Sequence, residues 1–290
     1  MNSETSKPLR VGIQGVRASF HDVAARNYFG ERPIQLSEFA SFRALALSLE
    51  ERSTDLAVMA IENSIAGSIL PNYQLLEKHP FVILGEVYQR IVMNLMALPG
   101  QKLRDLDQVF SHPMALLQCE DFFLRHPHLK KIEAADTAES AKDIRTRGLL
   151  KCGAIASRLA ADVYGLELLA EGIESDQQNY TRFLIIARRD AVPAWLAVDQ
   201  DRVNKASFRL EISHRPGSLA AVLLAFERHG VNLTKLQSVP ILGRPYQYSF
   251  HLDLEWENYV SYQQAIQAIA PLVVNMINLG EYISTWKNFP

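Results

Sequence analysis

Polar residues able to bind or protonate a small molecule gather at a few places in the chain, beside short apolar runs or at the start of helical segments. Glu62, Asn63 and Ser64 follow Leu56 to Ile61, Ser111 and His112 follow Val109-Phe110, and Thr137 opens a segment of helical period. Asn179, Tyr180, Thr181 and Arg182 lead into Phe183 to Ala187, while Ser19 stands shortly after the strand-like Val11 to Ile13. Hydroxyls, amides and free backbone N–H groups suit a carboxylate-bearing ligand, because they donate to an anion without clamping it with a full positive charge. In open α/β sheets, ligands lie at the carboxyl ends of strands and beside helix N-termini, which is where these residues fall. Each also has a purely structural use. Ser19, Ser111 and Thr137 serve as helix N-caps, Glu62 as a buried acid paired with an arginine, Thr181 as an ordinary strand residue and Arg182 as a solvated charge. Residue types alone stop at an anion-binding α/β protein with a small second domain.

Familiar catalytic patterns are missing. The chain contains no H-E-x-x-H, no G-x-S-x-G and no Walker A loop. His126 and His128 lie in a proline-containing turn without acidic or thiol partners at ligand spacing, so no metal is expected. Gly12, Gly15 and Ala18 follow a strand but form no G-x-G, so a dinucleotide is not expected either.

The elements that must position these residues follow from periodicity. Val11 to Ile13, Leu56 to Ile61, Phe81 to Gly85, Arg90 to Leu98, Val109-Phe110, Ala154 to Ala156 and Phe183 to Ala187 are expected strands. Ser19 with Asp22 three residues on starts a helix, and Met114 to Arg125 and Ala138 to Arg147 are two more. This alternation implies α/β architecture with largely parallel sheets. The first unit spans residues 8–188 as two α/β lobes, 8–88 with 170–188 and 89–169. Residues 189–204 hold Pro193, several charges and no clear period, which marks a linker. Residues 205–284 have their own rhythm: a strand at Phe208 to Ile212, a helix through Leu219 and Phe226 ending at Gly230, and a strand from Val231 to Val239. A third strand from Tyr246 to Leu254, a helix from Tyr259 to Ile269 and a last strand within Val273 to Ile283 complete a ferredoxin-like βαββαβ plan. Its open sheet edges lead us to expect pairing with a second copy.

Composition narrows the partners. The 290 residues carry 30 Lys and Arg against 32 Asp and Glu, a formal charge of −2, so no global positive field exists to hold nucleic acid or an acidic membrane. No apolar stretch approaches the roughly 18 residues of a membrane span. Cys119 and Cys152 make no C-x-x-C pair and no disulfide framework, so a reducing cytoplasm is the expected home.

The same clusters resemble the motifs of the prephenate dehydratase family. Gly15 to His21 is similar to its G-x-x-G-[ST]-[FY]-S segment, with Ala18 for the last glycine and His21 for the serine. Asp55 to Gly67 resembles its central strand and E-N-[ST]-x-x-G motif, and Ser111 to Cys119 its S-H-P-x-A-L-x-Q-C helix start. Ala154 to Ser157, Tyr164 to Leu166 and Asn179 to Phe183 resemble its closing A-I-A-S, Y-G-L and N-x-T-R-F patterns. The later unit resembles an ACT domain through Arg215-Pro216-Gly217-Ser218-Leu219 and Val231 to Pro240, with Gln237 and Val239 where relatives carry Glu and Arg.

This resemblance implies a periplasmic-binding-protein-like catalytic domain that converts prephenate to phenylpyruvate in phenylalanine biosynthesis, with no cofactor. Thr181, Arg182 and Phe183 are its implied catalytic residues, and Ser19, Glu62, Asn63, Ser64, Ser111, Gln118 and Thr137 its substrate-binding ones. Gly217, Ser218, Leu219, Asn232, Leu233, Gln237 and Ser238 are the implied effector site for L-phenylalanine, in a homodimer or homotetramer. With about ten residues before the first strand, an upstream chorismate mutase module is not expected. Arogenate dehydration and a non-catalytic amino-acid receptor are the alternatives.

Overall fold

Three sheets, each nucleated by the apolar runs, organise the computed structural model, which describes residues 8–193, 196, 202–241, 243–244 and 247–285. The first sheet takes Leu9–Gln14 (β1), Ile34–Phe39 (β2), Leu56–Asn63 (β3), the short Gly67–Ser68 (β4) and Phe81–Arg90 (β5). The chain then crosses to a second sheet of Asn94–Ala97 (β6), Gln108–Ser111 (β7), Lys130–Glu133 (β8), Cys152–Ala156 (β9) and Glu167–Ala170 (β10). It returns to the first with Tyr180–Arg188 (β11), giving the orders β2-β1-β3-β11-β5 and β10-β6-β9-β7-β8. Helices Phe20–Phe29 (α1), Phe42–Glu50 (α2) and Leu70–Lys78 (α3) pack on the first sheet. Pro113–Gln118 (α4), Glu120–Arg125 (α5), Thr137–Arg147 (α6) and Arg158–Tyr164 (α7) accompany the second.

Two expectations need correction. The sheets are mixed rather than largely parallel: β1 pairs β2 and β3 in parallel, and β7 pairs β8 and β9 likewise. However, β11 runs antiparallel to both β3 and β5, and β6 antiparallel to β9 and β10. The returning strand enters between its neighbours from the opposite end, a crossover that no local pattern encodes. The helix expected from Met114 to Arg125 is two, broken at Cys119, whose N–H turns back to Leu116 in a tighter turn.

The third sheet follows a βαββαβ chain order: Lys205–Ile212 (β12), Ser218–Arg228 (α8), Asn232–Pro240 (β13), Tyr248–Glu255 (β14), Tyr259–Ile269 (α9) and Val273–Tyr282 (β15). Its strand order is β13-β14-β12-β15, and Pro245 and Tyr246 of the expected third strand lie outside the described residues. One face packs on α8 and α9 through Phe208, Leu210, Phe226 and Leu254. Its other face lies against the first sheet, where Val239, Leu279 and Tyr282 join Ile83, Met59 and Leu184 in one core.

Contact there is close at Gly280. A Cβ built on it would stand 2.1 Å from the backbone oxygen of Ile83 in β5, so only glycine lets β15 approach. We expect Gly280→Ala to destabilise by about 1–3 kcal/mol, the usual cost of overpacking, read as a lower urea midpoint.

Candidate active site

Strand alternation sets the site. In β11, Thr181 and Phe183 line a cleft between the two lobes, while Arg182 projects from the opposite face. Thr181 pairs with Asn63 of β3 and Arg182 with Glu62, so neighbouring residues of both strands divide between the two faces. The cleft holds about 370 Å³ and is lined by Thr181, Phe183, Asn63, Ser19, His21, Gln118, Asp136 and Thr137, among others.

A chain of amides crosses the cleft wall. Gln118 Oε1 accepts from Asn179 Nδ2 at 2.9 Å, and Asn179 Oδ1 accepts from Asn63 Nδ2 at 2.7 Å. The same Asn63 amide donates to Thr181 Oγ1 at 3.0 Å, and its Oδ1 accepts from the N–H groups of Ile65 and Ala66. Thr181 lines the cleft, and among the described residues its hydroxyl donates to no protein group, which leaves the proton available to a ligand. Gln118 likewise keeps its NH₂ free of protein acceptors among the described residues. Asn63, expected as a donor to substrate, spends its amide holding Thr181 and is a positioning residue. Asn179, fully buried, belongs to a polar cluster of the sequence and opens the N-x-T-R-F pattern, but it is not among the site residues that the resemblance implies.

Ser19 and Thr137 come to the cleft at the starts of α1 and α6. Ser19 is an N-cap, accepting from the Asp22 N–H, whereas the cap of α6 is Asp136 and that of α4 is His112. Aromatic rings close one side: His21 sits 4.9 Å from Phe183, edge to face, and 5.4 Å from Phe42. Burial holds this imidazole neutral, with its pKa pushed down to about 3.

Four expected site residues lie elsewhere. Ser111 is fully buried, and its hydroxyl donates to the Ile155 carbonyl at 2.7 Å, tying β7 to β9. Ser64 is spent on the Tyr180 N–H and the Gln178 carbonyl. Glu62 pairs with Lys235 of β13 at 2.7 Å. Arg182 is buried among Glu86 of β5 (2.7 Å), Asp253 of β14 and the Tyr282 hydroxyl (2.9 Å). Glu86 also receives Lys205 at 3.0 Å, so the guanidinium docks the third sheet and does not face the cleft. Burial alone would drive the proton off Arg182 and onto Asp253, but the opposite charges win, raising the arginine's pKa and lowering the aspartate's.

Sequence comparison bears on this arrangement. The profile of the family described as prephenate dehydratase matches residues 11–191. The chain belongs to that family. It is 36% identical over 263 residues to arogenate dehydratase/prephenate dehydratase 1, chloroplastic, of Arabidopsis thaliana, covering 85% of this chain and 64% of that protein, so it spans less than two thirds of the relative. Among solved structures it resembles GqqA, described as a novel type of quorum quenching acylase (TM-score 0.85, 27% identity, 97% of this chain, all of that one). It shares the fold of the prephenate dehydratase of Arthrobacter aurescens in complex with L-Phe (TM-score 0.83, 24% identity, 97% of this chain, 92% of that one).

Within the prephenate dehydratase family pattern, two departures acquire reasons. Ala18 keeps the left-handed backbone that glycine adopts freely, at φ 68°, a cost of roughly 1–2 kcal/mol. Its methyl is fully buried among Ala138, Ala141 and Ile144 of the other lobe, and its carbonyl accepts from Ser157 Oγ at 2.7 Å. Val239 is buried against the first sheet, where an arginine would need partners. Of the expected effector residues, Ser218 and Leu219 line a second cavity of about 430 Å³ with Arg215, Arg244 and Tyr248. Gly217 caps α8 in a left-handed conformation. Asn232 is exposed on the edge strand β13, Leu233 packs into the third-sheet core, and Gln237 Nε2 donates to the Ser238 carbonyl.

Removing the docking cation leaves Glu86 and Asp253 short of a partner. Arg182→Met should therefore lower stability by about 3–5 kcal/mol, read by urea unfolding, with the loss exceeding any effect on substrate KM in the folded fraction.

Proposed function

We propose that this protein is a dehydratase that converts prephenate to phenylpyruvate with loss of water and carbon dioxide, serving phenylalanine synthesis. The observation that carries the reading is the Thr181 hydroxyl, held by Asn63 in an aromatic-walled cleft. In the reaction the C–CO₂⁻ bond breaks, its electron pair enters the ring, and the 4-hydroxyl leaves with a proton as water. Aromatisation drives the change, so the enzyme's task is to help a poor leaving group depart. Thr181 supplies the hydrogen bond to that hydroxyl. No lysine or arginine is among the described lining residues, and neutral donors such as the Gln118 amide hold a carboxylate without stabilising it against decarboxylation.

Relatives bearing the name arogenate dehydratase support the alternative substrate, with an amino group in place of the ketone; rates with the two rings separate them. Acylase chemistry, the activity in one structural relative's description, would draw on an activated nucleophile. Among the described residues, neither the Ser19 nor the Thr181 hydroxyl is hydrogen-bonded to an imidazole, which favours dehydration.

The fold supports a further reading: residues 8–188 as the catalytic domain in two lobes, 189–204 as linker and 205–284 as an ACT regulatory domain that binds L-phenylalanine. The open edges β13 and β15 favour a homodimer or homotetramer. Free Cys119 and Cys152 suit a reducing cytoplasm, and no helix among the described residues is long and apolar enough to cross a membrane.

Thr181→Val should fold normally and lose at least about 100-fold in kcat, the scale of a lost proton-donating group, with phenylpyruvate absorbance as the readout; near-native turnover would remove Thr181 from the mechanism. For regulation, calorimetry should detect L-phenylalanine binding to the intact chain and its loss in Leu219→Arg, which fills the α8 cavity. Undiminished binding would place the effector elsewhere.

A further inference from the structure

The turn that follows Asn63 carries more responsibility than its size suggests. Asn63 grips it with Oδ1, through the N–H groups of Ile65 and Ala66, and grips Thr181 with Nδ2. The strand that closes the turn, β4, is only two residues long and pairs with β3, Glu62 opposite Ser68 and Asn63 opposite Gly67. Residues 64–67 between them are exposed. So short a ribbon is marginal in water without outside contacts. Ser64 fastens the β3 side of the turn to Tyr180 of β11. The β4 side is held from the third sheet.

Lys235 of β13 makes that contact. Its Nζ donates to Ser68 Oγ at 2.7 Å and pairs with Glu62 Oε1 at 2.7 Å, so one ammonium bridges both strands at a directly opposed pair. The same nitrogen lies 5.7 Å from the centre of the Tyr73 ring, and the side chain is only 10% exposed, committed to these partners rather than to water. Its direction is built into the strand. Leu233 packs into the third-sheet core beside α8 and α9, and in a regular strand Lys235, two residues on, would take the same face. A β-bulge falls between them: Leu233 pairs with Leu254, yet Lys235 pairs with Asp253. The extra residue turns Lys235, together with Val239, toward the first sheet.

The contacts there form a two-by-two lock. Lys235 and Asp253 are opposite one another in the third sheet, as Glu62 and Arg182 are in the first, and each residue of one pair meets its opposite charge in the other. The next opposed pair along β3 and β11 is Asn63 with Thr181. We infer that Lys235 is a positioning residue for the reaction, clamping β3 to β4 so that Asn63 holds the Thr181 hydroxyl in place. The inference rests on the dehydratase reading and adds a group outside the cleft to it. Lys235 lies behind the cleft wall and acts through Asn63, as Asp253 acts through Arg182 on the neighbouring strand.

The test is steady-state kinetics with prephenate for Lys235→Met and Ser68→Ala, each alone and combined with Thr181→Val. Methionine keeps the apolar stem over Tyr73, and Glu62 is exposed enough to be hydrated, so Lys235→Met should fold, with urea unfolding as the check. Its kcat should fall about 10-fold, part of the roughly 100-fold expected on losing the hydroxyl itself, with KM changed by less than about twofold. Ser68→Ala, which keeps the Glu62 pair, should show a smaller loss of the same kind. In the Thr181→Val background neither change should cost more than about a further twofold, because a residue acting through the hydroxyl has nothing left to position. Amide exchange at Ile65 and Ala66 should quicken in Lys235→Met. Native kcat in the folded variant, equal losses with and without Thr181, or unchanged exchange at the turn overturns the inference and leaves the dehydratase reading intact. Should Lys235→Met fail to fold, Ser68→Ala decides by the same comparison. Turnover of neither prephenate nor arogenate by the unaltered chain overturns both.

Discussion

A guanidinium buried away from water must find opposite charge and hydrogen-bond acceptors, and that need governs strand β11. Arg182 meets it with Glu86 from its own sheet and Asp253 from the third one, while Lys205 shares Glu86 and reaches Glu255 at 3.2 Å. Such a cluster is costly to assemble and still more costly to break, because each lost partner strands a buried charge. It therefore pins the register of β11. A slip by one residue would carry the guanidinium into the cleft and Thr181 into the ionic cluster, a state without partners for either. The chemistry on one face of the strand is positioned by the electrostatics on the other.

The same strand makes the third sheet part of the first sheet's support. A second polar contact reinforces the dock: Glu77 of α3 meets His251 at 2.9 Å and Arg209 at 3.2 Å. Hydrophobic packing of Val239, Leu279 and Tyr282 fills the space around these ions. A ligand that altered the strand order or packing of the third sheet would act on Asp253 and Tyr282, two groups that hold the residue next to Thr181. The ionic cluster that holds the third sheet is thus one peptide bond away from Thr181.

Across the cleft, the lobes are joined by hydrogen bonds that serve both structure and chemistry. Ser157 and Tyr164 donate to the carbonyls of Ala18 and Arg17, and Asn179 links Gln118 to Asn63. Helix N-termini contribute less free N–H than their number suggests, because Ser19, His112 and Asp136 already cap them. What remains for a ligand is a small set of groups, mainly the Thr181 hydroxyl and the Gln118 amide.

By itself the sequence determined the local elements and the family. Apolar runs, the Ser19 cap, the glycine and proline turns and the N-x-T-R-F pattern all act over a few residues, where covalent neighbours decide the conformation. It also marked the neighbourhood of the site, since Thr181, Asn63, Gln118, Ser19 and Thr137 do meet in one cleft. Only the tertiary structure decided which face each residue took. Glu62 and Arg182 go to the third sheet, Ser64 bonds to backbone and Asn179 buttresses Asn63, because the pairing of β3 with β11, more than 100 residues apart, sets what lies opposite what; Ser111 is likewise spent on β9, another strand distant in sequence. Motifs record which residues matter; the partners that give each its role come from distant parts of the chain.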